Sequence, residues 1–263
     1  MPQNNSPATQ PTAFDSERHC RIGNTPIDIE ACQFYRHAHQ VLCEAGIPFL
    51  VGGAYALNRY TGIERRTKDL DYFVRKQDLE RALEAFNHAG FRTEIAAPHW
   101  LAKAWRTEHF VDIIFASGNG VCAIDDEWFE HAVEDELLGL PVKLCPPEEI
   151  IWQKAYVQER DRYDGADIAH LIRALSPDLD WTRLLRRFGE HWRVLLSHLV
   201  LFGFIYPGER DKIPDWLMGE LLHRLQQELA QPPSHTDLCR GTLLSRQQYL
   251  VDIEQWGYRD ARL

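Results

Sequence analysis

Residues 46–74 read GIPFLVGGAYALNRYTGIERRTKDLDYFV, and the fold turns on how this stretch is punctuated. The apolar run IPFLV predicts a buried strand. It ends at Gly52-Gly53, after which residues 54–60 predict the start of a helix. Leu70 to Val74 predict a second strand, opened by Asp69-Leu70-Asp71. Paired glycines let a backbone approach a ligand closely, and a helix N-terminus attracts phosphate oxygens. Taken alone, a Gly-Gly pair is more often a plain turn. Residues i and i+2 of a strand point to one face, so Asp69 and Asp71 repel each other unless a cation bridges them. Hard oxygen ligands of this kind suit Mg²⁺. A solvated acidic strand end is the competing reading.

Working outward, Ile29 to Ala45 fit a helix with Gly46 as its stop. Residues 1–25 offer little apolar surface and are expected to be disordered. Downstream, Gln77 to His88 predict a helix closed by Gly90, and Phe91 to Ile95 a third strand. His109 to Phe115, HFVDIIF, is rich in β-branched and aromatic residues and predicts a strand. Asp112 lies inside it. A carboxylate in so apolar a run either pairs with a cation or completes a metal site with Asp69 and Asp71.

After Gly118 the character changes. A strand at Pro141 to Leu144 precedes Pro146-Pro147, and proline with Glu148-Glu149 suits a helix start. Helices are expected over 147–158, 164–175, 181–206 and 214–230. The fold class is therefore α/β (α+β): a small mixed sheet over residues 26–145, then a helical domain over 146–263.

The 263-residue chain is long enough to bury a core. Its net charge of −10 argues against a protein that coats nucleic acid. Six cysteines without a CxxC pair read as thiols of a reducing, cytoplasmic compartment. Val194 to Tyr206 is too short to span a bilayer and reads as a buried helix. Trp181, Trp192 and Trp216 read as core, and Cys122 and Cys145 as structural.

A strand, a Gly-Gly turn, a helix, an Asp-x-Asp strand and a later strand with one more carboxylate resemble the polymerase-β-like nucleotidyltransferases over about residues 46–116. That resemblance implies an enzyme moving a nucleoside monophosphate from an NTP to an acceptor hydroxyl. It implies Asp69 and Asp71 on two Mg²⁺ ions, Asp112 on the one that activates the hydroxyl, and Gly52 and Gly53 on the phosphates. Ala54 replaces the serine many members carry, so a hydroxyl contact to phosphate is missing.

The stretch 149–171, EIIWQKAYVQERDRYDGADIAHL, resembles the second motif block of AbiEii-type toxin nucleotidyltransferases. The matching positions are Lys154, Arg160, Arg162, Asp164 and Asp167, and Arg66-Thr67-Lys68 resemble that family's entry to the acidic pair. The resemblance implies catalytic roles for Lys154 and Asp164, and triphosphate contacts from Lys154 and Arg66. Exposed salt-bridged helix residues are the competing reading. The acceptor stays open between an RNA end, a protein side chain and a small molecule. An antitoxin partner and a non-catalytic nucleotide-binding module are the alternatives, and no membrane partner is expected.

Overall fold

The structure, a computed structural model, describes residues 20–22, 25–64 and 69–263. Arg66 and most of the stretch expected to be disordered lie outside these residues. At the end of that stretch, Arg21–Ile22 (β1) and Thr25–Pro26 (β2) pair antiparallel. Cys20 and Cys32 form a disulfide. This corrects the reading of all six cysteines as thiols: the β1–β2 pairing and the Ile27 N–H donating to the Cys20 carbonyl at 3.1 Å bring Cys20 back beside the start of the helix that holds Cys32.

Helix α1 (Ile29–Glu44) starts at Asp28, whose side chain accepts from the Ala31 N–H. Then follow β3 (Leu50–Val51), α2 (Gly53–Thr61), β4 (Asp71–Phe73), α3 (Leu79–His88) and the strands β5 (Arg92–Ala97), β6 (Leu101–Arg106) and β7 (His109–Ile114). A short helix α4 (Asp126–Glu130) leads to β8 (Val133–Leu137) and β9 (Leu140–Leu144). These strands build one mixed seven-stranded sheet in the order β5-β6-β7-β4-β3-β9-β8. The strand pair at its centre, β4 with β7, is parallel.

Two sheet strands escaped the sequence reading. β6, LAKAWR, and β8, VEDEL, carry too many charges to read as buried strands. Each is held by an antiparallel neighbour across a tight turn. Asp69 precedes β4 in a bend rather than opening the strand.

The helices that follow are α5 (Pro147–Ala155), α6 (Gly165–Leu175), α7 (Trp181–Phe188), α8 (Trp192–Ile205), α9 (Asp215–Leu229) and α10 (Arg246–Glu254). Helix α2 packs on α6, and α5 packs on α6 and α7. The expected helix over 181–206 is broken by a 3-10 turn at Gly189, which has a positive φ. α10 was not anticipated. The segment around it is polar, and Leu238–Cys239 (β10) pairs with Arg259–Asp260 (β11) to bracket it.

The buried-helix reading of Val194 to Tyr206 is half right. Leu195, Leu199 and Phe202 are buried, but Phe204 is 83% exposed and Val200, Leu201 and Ile205 are exposed too. Trp181 is core, whereas Trp216 is exposed. No helix among the described residues is long and apolar enough to cross a membrane.

Candidate active site

Strand β4 alternates. Tyr72 turns to the α1 side, 5.2 Å from the Phe49 ring, while Asp71 and Phe73 turn to the other. On that side the Gly52-Gly53 turn lies directly against them. A Cβ on Gly53 would stand 1.6 Å from Asp71 Oδ2, and one on Gly52 would stand 2.3 Å from the Phe73 ring. Gly53 also has φ +57°, the left-handed region. The two glycines thus serve different ends. Gly53 borders the pocket, whereas Gly52 is buried and its N–H donates to the Asp71 carbonyl at 3.0 Å. Gly52 thus commits its N–H to the sheet, and Gly53 is the glycine that lines the pocket.

In the parallel β4–β7 pair, Asp71 and Asp112 are direct register partners. Both border a pocket of about 600 Å³. Burial pushes the Asp71 carboxyl up to about 7, with the charges of Asp69 and Asp112 adding to it and those of Lys154 and Arg162 opposing it. Burial also raises Asp112, and Asp69 adds to that, against the pull of Lys103. The three acids therefore sense one another. Lys103, opposite Asp112 in the antiparallel β6–β7 register, places its ammonium 2.5 Å from Asp112 Oδ1. The sequence reading missed Lys103 because it missed β6, although it left open a cation partner for Asp112.

Among the described residues no three His, Cys, Asp or Glu side chains already stand close enough together to hold a metal ion. The donor chemistry nonetheless fits a hard divalent cation. Clustered carboxylates, one of them buried and raised to about 7, are relieved of mutual repulsion by positive charge. Asp112 has to exchange Lys103 for it.

The second cluster comes from α5 and α6. Lys154 Nζ lies 2.8 Å from both Asp164 and Asp167. Arg162 reaches Asp164 at 3.1 Å. Burial raises Asp164, but Arg162 and Lys154 outweigh it and hold the carboxyl below its usual range. Asp164 caps α6 instead of riding its face, so the two acids converge on Lys154 from the cap and the first turn. The resemblance to the AbiEii-type block pointed to the three residues; only the fold shows that Lys154 is shared between two acids. Arg160 is absent from the pocket lining, while Arg162 is part of it.

The far wall was invisible in the sequence. Thr242, Leu243, Leu244, Arg246 and Arg262 of the C-terminal segment line the same pocket. Asn119 Nδ2 donates to the Leu243 carbonyl at 2.9 Å, the Ser245 hydroxyl bonds Glu159, and Arg262 donates to the Gly118 carbonyl.

The family described as "Nucleotidyl transferase of unknown function (DUF2204)" matches residues 31–189, more than half of the chain. No curated protein matches it. Among solved structures, the antibiotic-resistance factor ANT(2'')-Ia is 16% identical, covering 78% of this chain and 97% of that one, with a TM-score of 0.41. An antigenic nucleotidyltransferase-like protein from Paracoccidioides brasiliensis is 18% identical, covering 72% and 94%, with a TM-score of 0.46. The lincosamide antibiotic adenylyltransferase LnuA is 14% identical, covering 55% and 96%, with a TM-score of 0.38.

Proposed function

The chain belongs to this nucleotidyl transferase family, and from that premise we propose that it transfers a nucleoside monophosphate from an NTP to an acceptor hydroxyl with Mg²⁺. The observation that carries the reading is the Asp71–Asp112 register on adjacent parallel strands, at the floor of a pocket bordered by Gly53 and Lys154. In the reaction the acceptor oxygen bonds the α-phosphorus, the bond to the bridging oxygen breaks, and pyrophosphate leaves. Asp69, Asp71 and Asp112 are the residues that would hold the metal. Bound there, Mg²⁺ supplies neutralisation of phosphate charge and a more acidic hydroxyl.

The protein's own groups divide the remaining work. Gly53 keeps the turn low enough for phosphate to approach the Asp71 carboxylate, since any side chain there would fill that space. Asp112 lies on the hydroxyl side. Lys154, anchored by Asp164 and Asp167, brings a fixed cation towards the triphosphate. That grouping also supports the AbiEii-type reading. The acceptor is sought among RNA ends, proteins and small hydroxylated molecules. The Lys103–Asp112 ion pair favours a second reading, a non-catalytic nucleotide-binding module whose acidic site is already neutralised from within.

One experiment separates them: incubation of the purified protein with Mg²⁺ and each labelled NTP, with RNA, protein and metabolite fractions as acceptors. Transfer that vanishes in Asp71→Asn is the expected result. Nucleotide binding without transfer to any fraction favours the module.

A further inference from the structure

We propose that Arg246, at the start of α10, is a triphosphate-binding residue, so that the C-terminal segment completes the nucleotide site. The proposal rests on the reading that an NTP occupies the pocket. It starts from charge. A triphosphate brings about four negative charges, and the described cations lining the pocket are Lys154, Arg162, Arg246 and Arg262. Two of these are already committed. Lys154 sits between Asp164 and Asp167, and Arg162 lies on Asp164. Those two cations already carry two acids, so on their own they leave most of the triphosphate charge unmatched.

Arg246 and Arg262 pair with no carboxylate among the described residues. Arg262 donates to the Gly118 carbonyl, beside Trp100. Arg246 directly follows Ser245, whose hydroxyl bonds Glu159, and Glu159 and Arg162 line the same pocket.

Its backbone is well placed. Ser245 is 1% exposed and accepts from the Gln248 N–H as the cap of α10. The Gln158 N–H donates to the Leu244 carbonyl at 3.3 Å, and Gln248 Nε2 donates to the Gln158 carbonyl at 3.3 Å. Arg246 is thus an exposed guanidinium on a fixed rim, in a pocket whose Lys154 and Arg162 already carry acids. A guanidinium fork suits phosphate oxygens. The residue lies outside the family-matched stretch, so it is a feature of this chain rather than of that match.

The test is calorimetric binding of ATP, CTP, tripolyphosphate and adenosine, in Mg²⁺ and without acceptor, to wild type, Arg246→Ala and Arg246→Lys. Arg193→Ala, which loses a surface pair with Glu228 and a contact with the Trp192 ring, both outside the pocket lining, is the control. Arg246→Ala is expected to raise the Kd for nucleotide and tripolyphosphate about ten-fold, as for a lost charge-assisted contact. Adenosine binding and the melting temperature should stay unchanged, and Arg246→Lys should recover part of the loss. Unchanged tripolyphosphate binding in Arg246→Ala, or adenosine weakened equally, overturns the proposal while the transferase reading stands. A wild-type protein that binds neither nucleotide nor tripolyphosphate overturns both.

Discussion

Two clusters of buried charge lie on either side of helix α5, and they behave differently. On one side Glu148 and Glu149, 3% and 0% exposed, face Arg183 and Arg187 of α7. Arg187 also holds Asp125 at 2.6 Å and Glu127 at 3.0 Å. Asp180 closes the set with a backbone N–H on Glu148. Every acid there has a guanidinium, so the cluster is complete and ties α7 to α5 and to the loop before α4. On the other side Asp71 stands in register with Asp112, which Lys103 holds, and burial pushes Asp71 up to about 7. A buried cluster whose acids all have guanidinium partners is architecture, whereas a buried acid raised to about 7 beside a pocket marks a candidate binding site.

The largest effect should fall on the Asp71 side. Asp71→Asn is expected to reduce nucleotide transfer by about 10³-fold or more, because a neutral amide keeps the shape and removes the charge that holds a metal. Labelled-NTP turnover at saturating Mg²⁺ checks it, and near-wild-type turnover would end the metal-ligand assignment.

The arginine-bound side should show the mirror image. Arg183→Met leaves Glu148 buried without its cation and is expected to cost about 3–5 kcal/mol of stability. Transfer per folded molecule should stay close to wild type. Urea unfolding with activity normalised to folded protein reads both, and a stable variant with lost activity would merge the two regions into one site.

Lys154→Ala tests whether the second cluster belongs with the first. Its kcat/KM for the NTP should fall about 10²-fold, since a fixed cation near the phosphates is lost. Lys143→Ala, on the exposed face of β9, should change it by less than about two-fold. Equal losses in both variants would remove Lys154 from the site.

A smaller effect concerns pH without metal. The folded Asp71 carboxyl holds its proton up to about 7, whereas an ordinary aspartate loses it near 3.8. Between those values the folded state binds more protons than the unfolded chain, so this group makes stability fall as pH rises through that window. Asp71→Asn removes the penalty. In EDTA the variant should melt above wild type at pH 8, by about 1–3 kcal/mol, and match it near pH 4. A difference that does not change with pH would show that Asp71 ionises normally.

Much of this comparison was present in residues 46–74 and 109–115. Local signals sufficed for the Gly-Gly turn, the Asp-x-Asp and the lone carboxylate in HFVDIIF, because each is a chemical oddity against a plain background. Lys154, Asp164 and Asp167 stood out through the resemblance of residues 149–171 to the AbiEii-type block. Glu148-Glu149 did not. They read as acids at a helix N-terminus, and that local explanation hid their burial against Arg183 and Arg187. Lys103 was missed for a similar reason. The alternation in LAKAWR is too charged to signal a strand, yet β7 pairs with it along its whole length.

What the sequence by itself determined is the set of groups and their local setting: which strand carries which acid, where the backbone must be glycine, and that sheet precedes helices. These follow from periodicity and from short-range sterics, which act between residues a few positions apart. Only the tertiary structure decided how the charges are shared. The Asp71–Asp112 register, the Lys103 partner of Asp112, the division of Lys154 between two acids, and the closing of the pocket by residues 242–262 all join positions far apart in the chain. Coulombic balance depends on distance and burial in space, and neither is written in the order of the residues.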